Sequence, residues 1–356
     1  MAKKTSIGGQ ALIEGIMMKG PYKTAMAVRK KDGSIDISDV QEKHLKDKCC
    51  IFGWPIIRGM VNLIESMRIG YKTMMKSADI SGFTDLDEEE PKKSDEDVEN
   101  AEAPETAEAV EEVEAVAEKE PVEEKKEEKK DSAFTTIVMM VGAVLGVVLA
   151  LVLFMYLPSL AFKGIDYLVS ADLSGFRGLI EGVLKMAIFI SYIAIVSLEK
   201  DIKRVFMYHG AEHKTIFCYE SGKELTVENV RGFKRFHPRC GTSFMFLMLA
   251  IGILVSSVLV IVLPDFIIDR NYIWVPIKIL MLPLTCGLGY ELIKICGKYD
   301  NFITRIIAAP GLWIQRLTTK EPDDGMIEIA IAAVQEVIPE DGSDELGCGC
   351  KCPRNN

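Results

Sequence analysis

The chain of 356 residues carries a formal net charge of −10, but that charge is concentrated in one place. Between Asp85 and Asp131 stand 22 acidic and 7 basic side chains and no aromatic residue, a net of −15 that leaves +5 for the rest. The acidic balance therefore describes one segment and implies no basic partner, and a hydrophobic fraction of 49% gathered in long uncharged runs argues against an ordinary pair of soluble domains.

The start, Met1-Ala-Lys-Lys-Thr-Ser, runs into glycine-containing sequence and not into an apolar core with a cleavage site, so it is not read as a secretory signal. Residues 1–50 are expected to form a small cytoplasmic β-containing unit, with short apolar runs between Ile7 and Val40 and a hairpin turn at Asp32-Gly33. Over 53–80, Ile57, Met60, Val61, Ile64, Met67, Tyr71, Met74 and Met75 recur at helical spacing, while Arg58, Glu65, Arg68, Lys72 and Lys76 take the opposite side. The pattern predicts an amphipathic helix, either lying on an anionic membrane surface or packed on the protein's own cytoplasmic domain. The acidic run at 85–131 cannot bury enough apolar surface to offset its ordering entropy and is expected to be a disordered linker, with Pro104 and Pro121 interrupting any long helix.

Four stretches approach the roughly 20 apolar residues that a membrane-crossing helix needs. Residues 132–162 and 241–264 contain no charge, whereas 179–198 contain Glu181 and Lys185, and 272–293 contain Lys278 and Glu291. An ionisable group at the bilayer centre costs roughly 2.5–3.5 kcal/mol on insertion scales, so each should sit near a helix end or face protein. Glu181 and Lys185, four apart, are expected to pair at the outer interface, Lys278 to snorkel outward, and Pro276 and Pro283 to kink the last crossing. The loop at 199–240 holds nine lysines and arginines, against three in the two loops of the other side, which sets this loop and both termini in the cytoplasm. The expected fold is a mainly α-helical, polytopic protein of the cell membrane. It has about four transmembrane helices, a small N-terminal β-hairpin unit and cytoplasmic amphipathic helices. Residues 302–338 should hold an interfacial segment around Trp313 and a soluble helix starting near Asp323 or Asp324, and 340–356 a flexible tail with Cys348, Cys350 and Cys352. The nine cysteines show no extracellular pairing pattern and fit thiols kept reduced.

Within the basic loop, His209-Gly-Ala-Glu212-His213 sets two imidazoles four residues apart, on one face if the second crossing continues as a helix, with Glu212 beside them. The spacing matches the inverted H-x-x-E-H pattern of one group of zinc hydrolases, and a glutamate so placed can act as a base on water. Downstream, His237-Pro-Arg-Cys240 has metal-ligand spacing just before the third apolar stretch. Read together, His209, His213, His237 and Cys240 form a nitrogen-and-sulfur set suited to a divalent metal, zinc above others, with Glu212 as the catalytic group. The competing reading of the first motif is a solvated histidine pair in a basic loop. Glu291, at the cytoplasmic end of the fourth stretch, is a further carboxylate that could ligate, although a helix end facing headgroups is the simpler reading. Glu14, inside GGQALIEG, is another. That segment fits neither a Walker loop nor a dinucleotide fingerprint, so no nucleotide is expected, and no nucleic acid.

Five segments, GGQALIEGIMMKGP, HGAEHKTIFCYE, LTVENVRGFKRFHPRCGTSF, GYELIK and GLWIQRLTTKEPDDGMIEIAIAA, give the chain its resemblance to the bacterial YqhQ-like family. The resemblance covers nearly the whole chain apart from the acidic linker and the cysteine tail. That family is a domain of unknown function described as predicted metal-dependent membrane enzymes. The resemblance implies such an architecture and places His209, Glu212, His213, His237, Cys240 and Glu291 in family motifs. The leading expectation is a zinc-dependent membrane enzyme of hydrolase type, working at the cytoplasmic face on a lipid, a membrane protein or a lipid-linked substrate. Its rival is a non-catalytic membrane scaffold or adaptor in which the same residues form a structural metal site or only hydrogen bonds. A small-solute transporter is disfavoured by the few paired intramembrane charges and by the lack of interrupted helices in corresponding halves.

Overall fold

A computed structural model of the protein describes residues 5–40, 54, 57–83, 141–142, 144–169, 173–298, 301–341 and 344. The expected linker at 85–131, the start of the first apolar stretch, Cys49, Cys50 and the tail cysteines lie outside the described residues. The chain divides into two units, residues 1–87 with 152–356, and residues 88–151. In the second unit the described residues are helical.

Strand periodicity builds the first layer. β1 (Gly8–Leu12), β2 (Gly15–Lys19), β3 (Thr24–Arg29) and β4 (Ile35–Asp39) form an antiparallel sheet in that order. The expected hairpin is the β3–β4 pair, whose connection holds Gly33 at φ +84°, a left-handed conformation that suits glycine. Two more strands precede it, so the unit is a four-stranded meander and not a lone hairpin. Successive side chains point to opposite faces: Ile16, Met18, Ala25 and Ala27 enter one core, and Leu12, Met17, Met26 and Val28 another. With both faces buried, β2 and β3 read as unbroken apolar runs, and the alternation that marks a half-exposed strand is hidden.

The second core is closed by α1 (Ile57–Ser81) through Ile69, Met74 and Ile80. Its closest approaches use small residues, Gly70 against Gln10 of β1 and Gly59 against Gly287 and Tyr290 of a later helix. The amphipathic helix thus packs on the protein's own sheet, while Ile57, Ile64, Met67 and Tyr71 of its apolar stripe stay exposed.

After α2 (Val144–Leu168) and α3 (Arg177–Val196) come α4 (Lys200–Glu220) and the short α5 (Val227–Arg231). Then follow α6 (Gly241–Val262), α7 (Asp265–Ile268), α8 (Asn271–Leu280), α9 (Leu282–Lys298), α10 (Phe302–Thr318) and α11 (Asp324–Gln335). α2, α3 and α6 are long and apolar enough to cross a membrane, and α8 with α9, bent by 41°, makes a fourth crossing if the pair counts as one. The bend falls beside Pro283, which has no amide proton to donate to the preceding turn. α3 ends at Val196 and α4 begins afresh at Lys200, so His209 and His213 lie on a separate helix and not on a continuation of the crossing.

Two charge placements differ from expectation. Glu181 does not pair with Lys185, and Lys278 does not reach outward. The Glu181 carboxylate accepts from Arg177 at 2.8 Å, from the Trp274 indole at 3.0 Å and from Lys278 at 2.7 Å, all buried. A carboxylate out of water is stable only when paired and hydrogen-bonded, and partners on the same turn and on α8 meet that need together.

Glycines bring the apolar helices close. A Cβ on Gly178 of α3 would stand 2.7 Å from the backbone of Ser257 in α6, and one on Gly182 would collide with Ile253, the contact that small residues four apart permit. α10 begins with a reciprocal cap between Asn301 and Thr304 and packs on α6 through Gly311 and Ser243. Asp323 caps α11 by accepting from the Met326 amide at 2.8 Å. On the first face of the sheet, Tyr208, Ala211 and Ile216 of α4, Val230 of α5 and Ile327, Ala330 and Val334 of α11 complete one core. Segments separated in sequence by the apolar helices thus fold as one layer. In detergent-solubilised protein, Gly178→Ala should lower the thermal midpoint, overpacking against backbone costing about 1–3 kcal/mol. Gly164→Ala, whose added Cβ meets nothing within 4 Å, should hold or raise it. Equal midpoints for the two variants would contradict the α3–α6 contact.

Candidate metal centre

α4 carries the motif, and its five residues have separate tasks. His209 and His213 share one face, with ring centroids 4.4 Å apart. Gly210 passes under the Lys320 carbonyl, where any Cβ would collide, and Ala211 is buried in the core against the sheet. Glu212 turns toward β1. A Cβ on Gly9 would stand 3.1 Å from its Cδ, and the Gly9 amide donates to its carboxylate. Burial pushes the Glu212 carboxyl up, against the opposing pull of His209 and of that amide.

The histidines are anchored by backbone. His209 Nδ1 lies 2.9 Å from the Thr318 carbonyl, and His213 Nδ1 lies 2.5 Å from the Arg235 carbonyl. A carbonyl only accepts, so each Nδ1 carries the proton and each Nε2 presents a lone pair. Outer hydrogen bonds of this kind orient ligand imidazoles. His209 Nε2 is 3.1 Å from Cys240 Sγ, while His213 Nε2 is buried with no hydrogen-bond partner. Cys240 is the N-cap of α6, its sulfur accepting from the Thr242 amide at 3.5 Å. One ligand atom from each of His209, His213 and Cys240 lies within 4.8 Å of the others, the group of this kind among the described residues.

This donor set fits a zinc ion. A tetrahedral shell holds nitrogen and sulfur ligands about 3.3–3.8 Å apart, so a contraction on the order of 1 Å closes the three. His213 Nε2 and Glu212 Oε2 are both buried without a hydrogen-bond partner, as are Arg235 Nε and Thr318 Oγ1 of the residues whose carbonyls anchor the histidines, although buried polar groups are mostly satisfied.

The other sequence candidates fall around this set. The His237 ring is 5.6 Å from that of His213, but its Nε2 lies 3.3 Å from Arg239 and 3.9 Å from Glu220. The His-x-x-Cys spacing therefore brings one ligand to the three-atom group and not two, because the turn aims His237 at Glu220. Burial pushes the His237 imidazole down, with Glu220 opposing. Glu291 is gripped by Arg58 of α1 at 2.6 and 2.5 Å and does not join the group. Glu14 binds Arg204 at 2.5 and 2.7 Å and the Tyr208 hydroxyl at 3.1 Å, so it holds α4 beside His209 without ligating. Its φ of +50° is left-handed, a strain of roughly 1–2 kcal/mol for a residue with a Cβ, and these partners fix it. Residues that sequence reasoning missed include Gly9, Gln315, Glu220 and the two anchoring carbonyls. Gln315 accepts from the His237 amide and donates to the His237 carbonyl, both at 2.7 Å. Gly9, Glu220 and Gln315 all lie in the segments that carry the family resemblance, which marks them without assigning them a task.

A four-stranded sheet and three helices joined to three or four apolar helices, with a His/His/Cys group in which His213 and Cys240 are buried and His209 half-buried, define a mainly helical protein with helices of membrane-crossing length. The chain belongs to the family described as "Protein of unknown function (DUF1385)", whose match spans residues 54–340. It is also 30% identical to the "Uncharacterized protein YqhQ" of Bacillus subtilis (strain 168) over 335 residues, 93% of this chain and 92% of that one. No solved structure matches it. The family resemblance read from the motifs is therefore correct.

Glu220 gives this region a pH dependence. Burial alone would raise its carboxyl, but the nearby His237 ring, the hydrogen bond from the Thr5 amide and the charge and hydrogen bond of Arg239 bring it down to about 2. A carboxylate lowered by folding stabilises above its unfolded value of 4.5 and loses that contribution as the pH falls toward 2. The difference in thermal midpoint between wild type and Glu220→Gln should be largest at about pH 6 and shrink below about pH 4.5. A difference that does not vary with pH would contradict this assignment.

Proposed function

We propose that the protein is a membrane-embedded, metal-dependent enzyme of hydrolase type, using a zinc ion held by His209, His213 and Cys240 at the cytoplasmic face of the cell membrane. The observation that carries this reading is the pair of imidazoles tied through Nδ1 to carbonyls, with Nε2 and a cysteine sulfur gathered in one group. Zinc would supply a Lewis acid there. Glu212, buried beside His209 and with one oxygen unpartnered, takes the proton of an attacking water and returns it to the leaving group.

Position supports the reading. Cys240 caps a helix of membrane-crossing length, which in this reading sets the group at the end of a crossing. The sheet, α4 and α11 share one core, which supports a reading with an even number of crossings between them, and the nine basic residues of 199–239 favour the cytoplasm for that side. The substrate is accordingly one presented at a bilayer surface: a lipid, a membrane protein or peptide, or a lipid-linked precursor. Neither a nucleotide nor a nucleic acid enters this reading.

The burial of His213, 1% exposed, and of Cys240, 8% exposed, favours a second reading, a structural metal in a non-catalytic scaffold. Glu212→Gln separates the two: metal and fold persist in both, and lipid and membrane-protein profiles of overproducing cells differ from those with wild type only if Glu212 does chemistry. For the metal itself, full-length protein should hold about one zinc per chain by elemental mass spectrometry. His209→Ala, His213→Ala and Cys240→Ser should each lose most of it, whereas His237→Ala should weaken affinity by no more than the 10–100-fold of an outer residue. Unchanged stoichiometry in His209→Ala and His213→Ala refutes the site.

A further inference from the structure

A second cluster of ionisable side chains lies far from the histidines, inside the group of apolar helices. Arg177, Glu181 and Lys278 have side chains 2%, 3% and 5% exposed. Glu181 has no capacity left: Arg177 and Trp274 donate to one oxygen, at 2.8 and 3.3 Å, and Lys278 and Trp274 to the other, at 2.7 and 3.0 Å. Lys278 also donates to Ser159 of α2 at 2.8 Å, and Arg177 to Asn271 at 2.8 Å and to the Ile268 carbonyl. Lys185 stands one turn along α3 from Glu181, and its Nζ donates to the Met155 thioether, at 3.8 Å. A thioether is a weak acceptor, so among the described residues this ammonium has no oxygen partner. Three cations thus surround one saturated carboxylate.

We propose that Lys185, together with Arg177 and Lys278 around Glu181, forms an anion site within the helices that takes a phosphate monoester or inorganic phosphate. The surplus of two positive charges matches the −1.5 to −2 that such a group carries at neutral pH. Tetrahedral phosphate oxygens accept from ammonium and guanidinium donors, and among the described residues the Lys185 ammonium has no oxygen acceptor of its own. The segment of α2 that borders Lys185 supports a functional role: Val152–Tyr156, with Met155 in it, is a turn of π-helix, and such turns recur at functional sites. Pro158 lies just beyond and denies the preceding turn a regular hydrogen bond.

The site is distinct from the His/Cys group. Gly178 and Gly182 pack at Ser257 and Ile253 of α6. Those positions are 12 to 16 residues beyond Gly241 in the helix that Cys240 caps, or about 18–24 Å along its axis. The inference rests on the helices being membrane spans and not on a metal.

Trp274 is a built-in reporter, since its indole donates to Glu181 and its ring lies 5.5 Å from Arg177 and 5.4 Å from Lys278. Full-length protein with Trp54→Phe and Trp313→Phe keeps that indole alone. In detergent at fixed ionic strength, its fluorescence is followed while dihexanoyl phosphatidic acid, potassium phosphate or dihexanoyl phosphatidylcholine is added. A saturable change with phosphatidic acid alone identifies a lipid headgroup as the source, and one with both phosphates a free anion. Lys185→Met should weaken the response at least tenfold and, by removing an uncompensated charge, should raise the thermal midpoint without ligand. Lys185→Arg should keep the response. No saturable change with either phosphate, an equal change with phosphatidylcholine, or an unaltered affinity in Lys185→Met overturns the proposal. Release of the protein from vesicles by alkaline carbonate would instead show that the helices are not spans.

Discussion

Because the Thr318 and Arg235 carbonyls accept the Nδ1 protons of His209 and His213, each ring can offer only its Nε2, and everything proposed for the site follows from that restriction. Three separate parts of the chain must meet to make it: α4, the loop before α6, and the end of α10. The junction is secured from several directions. Gln315 ties the loop to α10, the Lys320 amide donates to the Phe206 carbonyl at 2.8 Å, and Lys214 pairs with Glu321. A change that shifts α10 by an ångström would therefore move a ligand without touching it.

The sheet supports the same helix from the other side. Gly9 admits the Glu212 carboxylate against β1, and Glu14 holds Arg204 and Tyr208 one turn before the motif. At the far end of α4, the Thr5 amide donates to Glu220 at 2.8 Å while Arg239 donates to the Thr5 carbonyl at 3.0 Å. The N-terminal segment is thus part of the scaffold on which the His/Cys group stands. That explains in physical terms why GGQALIEG reads as a motif although none of its residues belongs to the group.

Sequence patterns disclosed what depends on short separations. Two histidines four apart must share a face of a helix, and uncharged runs of about 20 residues must be long apolar helices. Separation along the chain hid the rest. His237 and Cys240 have ligand spacing, yet the turn between them is set by Gln315, 78 positions from His237, and only the cysteine reaches the group. Lys278 lies 97 positions from Glu181, so local pairing rules chose Lys185 instead. The anchoring carbonyls leave no trace in side-chain identity at all. Of the two extra strands, β2 escaped because both its faces are covered, which erases the period of two.

Two polar groups at separate levels along α6 then give the molecule its character: a nitrogen-and-sulfur group at its N-terminus, and a cation-rich cluster between α2, α3 and α8. The most direct measurement on the first is X-ray absorption at the zinc edge of the full-length protein. If zinc is held there, the geometry predicts two imidazole nitrogens and one sulfur among its ligands, the sulfur disappearing in Cys240→Ser. A shell without sulfur, or one unaltered by that substitution, would contradict the account.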